Sequence, residues 1–169
     1  LLAARALLPG EDIAWVFAPH EIHAERIAAL ERAIGSEAVR YSRWTSDSSA
    51  SVLIIDNIGM LAQAYAYAGV CWIGGGFGAG IHNVPEAAVY GCKVAFGPNY
   101  KSYREAVELI AEGVADEILT PEAFVYIIQT LQQDAVLRAR IAQQAQAYMA
   151  RNSGATDIIM AHIHSAAYL

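Results

Sequence analysis

Val70-Cys-Trp-Ile73, then Gly74-Gly-Gly-Phe-Gly-Ala-Gly80, then Ile81-His-Asn-Val-Pro-Glu86, then Lys93-Val-Ala-Phe96 follow one another in a single stretch, and their order decides the fold. The first and last runs are short, apolar and bounded by turn residues, which marks buried strands. Between them a glycine cluster gives way to a helical segment over about 83–90, stopped by Gly91. Strand, turn, helix and strand make one βαβ unit, whose two strands must be parallel.

The same alternation continues outward. Ile13-Ala-Trp-Val-Phe-Ala18 is an apolar run ending at Pro19. His23, Ile27, Leu30 and Ile34 then share one helical face, which makes His23 a core or boundary residue, and Gly35 ends that helix. Residues 38–44 and Val52-Leu-Ile-Ile55 are strand candidates, and Asp56 or Asn57 is placed to cap a helix running to about Ala68. Downstream, a helix is expected over about 102–112 and a last strand from Val114 to Leu119. Thr120-Pro121 reads as an N-cap with proline at the first helical position. The rest, 121–168, reads as helical, punctuated at Asn152-Ser153-Gly154. Apolar strands alternating with helices imply an α/β fold, a Rossmann-like parallel sheet with helices on both faces and a helical C-terminal tail.

Composition agrees. With 169 residues the chain is long enough for one domain, 1–169, to bury roughly 70% of its unfolded surface. Hydrophobic residues make up 56% and charged residues 17%, which excludes a disordered segment. A net charge of −6 without any basic run argues against nucleic-acid binding. Mean hydropathy is high at +0.29, and Asn57 to Pro85 carries no charged residue. Seven glycines in that stretch, from Gly59 to Gly80, break any spanning helix. The two cysteines, Cys71 and Cys92, sit in apolar runs and read as small core residues of a reducing compartment. The chain begins Leu1-Leu2 without a Met or a signal-peptide pattern, and reads as a piece of something longer.

Ligands of open parallel sheets bind at the carboxyl ends of the strands. The segments placed there are Pro19-His20-Glu21, Asp56 to Met60, Gly74 to Glu86, and Gly97 to Lys101. Gly74 to Ala79 matches G-x-G-x-x-A, but it follows the fourth strand and has no acid about 20 residues on, so a dinucleotide site is disfavoured. A Walker loop is absent. Glycine density still lets backbone amides approach an anion, with a helix N-terminus behind them, and a phosphate cradle is preferred over an empty turn. Asn83 and Glu86 have two readings: a capping-box pair, or a carboxylate that accepts from a ribose diol. His82 reads as a loop residue, although a general acid is the other possibility. His20, His23 and Glu25 lack a fourth ligand and zinc spacing, so no metal is expected. Ser48, Ser49 and Ser51 show no nucleophile elbow, and Arg138 to Arg151 reads as a solvated helix.

Ile73-Gly-Gly-Gly-Phe-Gly-Ala-Gly-Ile-His-Asn-Val-Pro-Glu-Ala-Ala88, followed by Gly91-Cys-Lys-Val-Ala-Phe-Gly-Pro-Asn-Tyr100, resembles the Kdo (3-deoxy-D-manno-octulosonic acid) transferases of lipopolysaccharide synthesis. Ala18-Pro-His-Glu21 and Asp56-Asn-Ile-Gly-Met-Leu61 fit the same family in order and spacing. The resemblance covers about 13–115 well and the tail more loosely.

The resemblance implies a GT-B glycosyltransferase, of which this chain is the C-terminal, donor-binding lobe. The donor would be CMP-Kdo and the acceptor a lipid A precursor at the cytoplasmic face of the bacterial inner membrane. The reaction inverts the anomeric centre without metal or other cofactor. The catalytic carboxylate and the membrane-associating region belong to the N-terminal lobe, so no catalytic residue is expected here and the chain alone should be inactive. Gly74, Gly75, Gly76, Phe77 and Gly78 would face the donor phosphate or sugar, with Asn83 close by. Ile58, Gly59 and Met60 would lie near the cytosine, and Glu86 would take the ribose. Pro19 and His20 complete the set; many family members have an arginine where His20 stands. The alternatives are a GT-B enzyme or epimerase using a UDP- or GDP-sugar, and a non-catalytic nucleotide-binding module.

Overall fold

The computed structural model describes residues 1–165. They form an α/β fold in which parallel strands alternate with helices, as the sequence pattern predicts. Two compact units divide the chain: Leu1–Ala68 with Leu119–Thr130, and Gly69–Ile118 continuing from Leu131.

The first unit contains α1 (Leu2–Ala6), β1 (Trp15–Phe17), α2 (Ala24–Ile34), β2 (Ala38–Arg40), β3 (Val52–Ile54) and α3 (Leu61–Tyr65). Its three strands run parallel in the order β1-β3-β2, with Phe17 and Arg40 both in register with Ile54. Phe17, Ile27, Ile34, Val52 and Ile54 form its core, with Trp15 and Leu30 packed against it. The apolar stripe of α2 is thus the one its 3.6-residue spacing requires. Gly35 ends the helix at φ +85, a conformation that costs glycine little. His23 departs from expectation. It is the N-cap residue, one position before the helix begins and four before Ile27, and it is exposed.

Two other expectations fail here for local reasons. Residues 41–43 form a single 3-10 turn, so the strand stops at Arg40. The helix expected after Asp56 starts only at Leu61, with Met60 as N-cap and no side-chain cap. Asp56 is occupied elsewhere: its carboxylate accepts from the Ser42 amide at 3.0 Å and the Ser42 hydroxyl at 2.5 Å. Gly59, at φ +94, also interrupts the helical path. Helix α1 had no signal in the sequence pattern.

The second unit contains β4 (Val70–Ile73), α4 (Pro85–Ala88), β5 (Lys93–Phe96), α5 (Arg104–Ala111) and β6 (Ala115–Glu117). Its sheet is parallel in the order β4-β5-β6, with Phe96 aligned to both Ile73 and Glu117. The central strand β5 is buried at all four positions, the pattern of a strand covered on both faces. Leu109 on α5 and Val94 on β5 are fully enclosed. Helix α7 (Ala135–Asn152) packs against α4 and β5, and buries Ile141, Ala145 and Tyr148.

Helix α6 (Pro121–Gln133) begins as predicted, with the Thr120 hydroxyl accepting from the Ala123 amide at 3.3 Å. The tail breaks once more than expected, at Asp134, whose carboxylate caps α7 by accepting from the Leu137 amide at 2.8 Å. Helix α8 (Ala155–Ser165) follows Gly154. Residues 166–168 of the expected helix lie outside the described residues. Among the described residues no helix is long and apolar enough to cross a membrane.

Candidate functional site

The glycine loop leaves β4 and is folded back on itself. Gly75, at φ +89, accepts from the Gly78 amide at 2.8 Å and the Gly80 amide at 3.3 Å. The His82 amide donates to Gly74 O at 3.2 Å, which closes the loop base. A Cβ on Gly75 would sit 2.0 Å from Gly80 O, so this turn admits no side chain.

A second set of glycine contacts presses the loop onto the end of β5. A Cβ on Gly76 would lie 2.6 Å from Gly97 N, and one on Gly97 would lie 2.7 Å from Gly76 C. The two backbones touch because neither residue has a side chain. Asn99 then clamps the loop from outside, its amide donating to Gly76 O at 2.9 Å and its Nδ2 to Gly78 O at 2.6 Å. On the far side, Tyr103 brings its hydroxyl to where a Gly80 Cβ would stand, 2.1 Å away. Sequence reasoning places 97–101 at the strand ends but gives Asn99 and Tyr103 no role. The only signal was the turn-forming Gly97-Pro98-Asn99 directly after β5.

This clamping leaves donors available. Among the described residues, the amides of Gly76 and Phe77 make no hydrogen bond within the protein. Phe77 is 62% exposed and stacks on Trp72 with centroids 6.1 Å apart and planes 16° apart. Fixed amides beside an exposed aromatic face can meet an anion joined to a ring.

Asn83 and Glu86 come together, though not as a capping box. Helix α4 starts at Pro85, its N-cap is Val84, and no side chain caps it. The Asn83 Nδ2 instead donates to Glu86 Oε1 at 2.7 Å. The Pro85 ring fixes the first helical position, and this shifts the start two residues past Asn83. Only Pro85 to Ala88 are helical, so any anion here relies on the loop amides rather than on a helix dipole. Glu86 is exposed, and among the described residues its Oε2 accepts nothing. Beside it, His82, Asn83, Tyr103 and Glu105 line a depression of about 240 Å3. That is below the roughly 300–1,000 Å3 of ordinary ligand pockets, and suits a sugar-sized fragment.

The remaining predicted residues belong to the first unit. Pro19 is half-buried and His20 exposed, just after β1. Ile58 is 93% exposed at a turn that Gly59 makes possible, and Met60 is half-buried at the start of α3. Asp56 anchors that turn. Burial raises its pKa, but the Ser42 hydrogen bonds and the Arg40 charge outweigh burial and hold the carboxyl below its usual range.

Comparison with known proteins bears on these features. No protein-family model matches the chain. The chain is 28% identical over 140 residues to 3-deoxy-D-manno-octulosonic acid transferase of Chlamydophila psittaci (strain ATCC VR-125 / 6BC). That match covers 80% of this chain and 32% of that protein. The chain is similar to a Kdo transferase. It spans about a third of the relative's length. Its fold is that of the C-terminal CMP-Kdo binding domain of WaaA from Acinetobacter baumannii, with a TM-score of 0.77 at 21% identity. That likeness covers 88% of this chain and 80% of the other.

Proposed function

We propose that this chain is the donor-binding lobe of a Kdo transferase and holds CMP-Kdo. The observation that carries the reading is the glycine loop: clamped, with open amides at Gly76 and Phe77, and inside the span similar to a Kdo transferase. A match covering 80% of 169 residues necessarily includes residues 74–86. A nucleoside monophosphate sugar carries a single phosphodiester charge, which backbone amides can balance without a metal. Gly74 to Gly78 take that phosphate, Phe77 lies against the sugar, and Glu86, steadied by Asn83, accepts from the ribose hydroxyls. In the first unit, Pro19 and His20 after β1, and Ile58, Gly59 and Met60 before α3, are the candidates for donor contact, the latter three for the cytosine.

On this reading another lobe of the whole protein supplies the catalytic carboxylate, the lipid A precursor acceptor and attachment to the bacterial inner membrane. The chain by itself then binds donor but transfers nothing, because acceptor and water exclusion come from the other lobe.

Calorimetric titration with CMP, UDP and GDP, with and without magnesium, tests this. One wall of a two-walled site supports a Kd for CMP on the order of 0.1–10 mM, independent of magnesium. Tighter binding of UDP or GDP would assign the lobe to a different donor. Transfer of Kdo by the chain alone would overturn the division of labour between lobes.

A further inference from the structure

Cys71 on β4 and Cys92 just before β5 are 5% and 3% exposed, and their Sγ atoms stand 3.1 Å apart. Cys71 is in register with Val94, two residues beyond Cys92, so both side chains leave the same face of the sheet. Cys92 Sγ donates its hydrogen to Ala87 O at 2.9 Å, which leaves Cys71 as the donor between the two sulfurs. A disulfide bond is about 2.05 Å long, so closing the gap takes about 1 Å of side-chain movement. The residues between the two cysteines include the glycine loop and α4.

We propose that Cys71 and Cys92 form a redox pair that closes to a disulfide when a small peroxide reaches them, and so ties together the two ends of the segment carrying the glycine loop. Cys92 attacks first. Its sulfur displaces one peroxide oxygen, the O–O bond breaks, and the released hydroxide takes the Cys92 proton away as water. The sulfenic acid left on Cys92 is then attacked by the Cys71 sulfur. The S–S bond forms, the S–O bond breaks, and the departing hydroxyl leaves with the Cys71 proton as a second water. Two thiols lose two electrons and two hydrogens, and one peroxide gains them.

Two features assign the roles. The hydrogen bond from Cys71 favours the Cys92 thiolate and outweighs the burial that raises its pKa. The hydrogen bond with Cys92, together with burial, pushes the Cys71 thiol up. With both sulfurs buried, the oxidant has to be as small as hydrogen peroxide. Closure costs the Ala87 carbonyl its S–H donor, and in exchange restrains the path from β4 through the loop to β5.

The folded chain is treated with hydrogen peroxide, quenched, unfolded, alkylated and mapped by mass spectrometry. The expected product lacks two hydrogens, carries a Cys71–Cys92 cross-linked peptide and reverts with dithiothreitol. Hydrogen exchange over residues 74–90 should slow several-fold in the oxidised form. Cys71→Ala should leave a sulfenic acid on Cys92 that dimedone traps once the chain is unfolded. Both thiols remaining alkylatable while methionines oxidise would overturn the proposal, as would a disulfide that forms only in urea. Should Cys71→Ala not fold, the wild-type peptide map still decides. None of these readouts depends on nucleotide binding, so the pair can fail without the donor assignment failing, and the reverse.

Discussion

Strand β5 is buried at all four of its positions, whereas β3, central in the other sheet, has a half-buried middle residue and its neighbour β2 is half-buried throughout. Both units carry charge pairs: Arg5 with Glu37, Arg40 with Glu31, and Arg26 with Glu21 at 2.6 Å in the first, and Arg104 with Glu108 and Arg151 with Glu112, each at 2.7 Å, in the second, but the first has the smaller core. In the second unit a single charged side chain among the described residues is buried, Lys93. It is satisfied by Asp116 at 3.0 Å and by Gly113 O at 2.9 Å. Exposed ion pairs contribute about 0–1 kcal/mol each, while apolar burial contributes about 25 cal/mol per Å2 without needing a fixed geometry. The second unit is therefore the firmer scaffold, and it is the one that carries the clamped glycine loop.

The sharpest way to break this contrast is a pair of cavity mutations. Leu109→Ala, at a fully enclosed position in the second unit, should cost about 3–5 kcal/mol. Leu30→Ala, half-buried in the first, should cost about 1–2 kcal/mol, because its methyls already border water. Urea unfolding checks both through the shift in midpoint at unchanged slope. Equal losses would mean the first unit is as tightly packed as the second.

The next effect concerns the site rather than the core. Glu86 is exposed and, among the described residues, bonded only to Asn83, so it contributes little to folding. As a ribose acceptor its charged oxygens would make hydrogen bonds worth about 1.5–3 kcal/mol in total, a factor of roughly 10–150 in affinity. Glu86→Gln keeps the oxygen that faces Asn83 and removes the charge. Calorimetry should show CMP binding weakened by that factor and scanning calorimetry a melting temperature within a few degrees. A lower melting temperature with unchanged CMP affinity would reduce Glu86 to a structural partner of Asn83.

The same contrast governed what could be read in advance. β4 and β5 were legible to the residue, because short apolar runs between glycines leave a buried parallel strand as the only fit. Where the chain is more exposed, periodicity loses hold: the strand expected over 38–44 ends at Arg40, and α1 gave no signal. Asp56 and Asn83 misled for one shared reason. Both are good cap residues, but each is engaged by a side-chain partner, Ser42 or Glu86, and neither spacing nor composition reveals such a partner. The glycine cluster announced a close backbone approach. It did not announce that the approach is to Gly97, or that Asn99 holds it, since both are contacts between segments some twenty residues apart.

A smaller effect, still in the second unit, separates its charges by pH. The Tyr148 hydroxyl donates to Glu108 Oε2 at 2.7 Å. Burial, and then that carboxylate, push the phenol from 10.0 to about 12. A raised folded value means the native state keeps a proton that the unfolded chain gives up. The stabilisation is complete below pH 10 and is lost as the pH rises toward about 12. Tyr148→Phe should lower the melting temperature by a few degrees at neutral pH. The gap from wild type should narrow between pH 10 and 12, because the variant has no such proton to lose. A gap constant across that window would disconnect the hydrogen bond from the stability of α7 on this unit.

The smallest effect is expected where the first unit looks best supplied with charge. Arg26 and Glu21 are 67% and 45% exposed, so water competes for both ends of their contact. His23 Nε2 lies 3.7 Å from the same Glu21 oxygen and shares the carboxylate. Arg26 also stands in the first turn of α2, where a cation opposes the helix dipole and where alanine is the better helix former. Loss of the ion pair and relief of these two penalties nearly cancel. Arg26→Ala should therefore change stability by less than about 0.5 kcal/mol, in either direction. In 1 M salt, where screening acts within about 3 Å, the Coulomb part of that difference should vanish. Urea titrations at low and high salt measure it directly. A loss above about 1.5 kcal/mol would show that the surface pairs act as a cooperative network, and the first unit would no longer be the softer of the two.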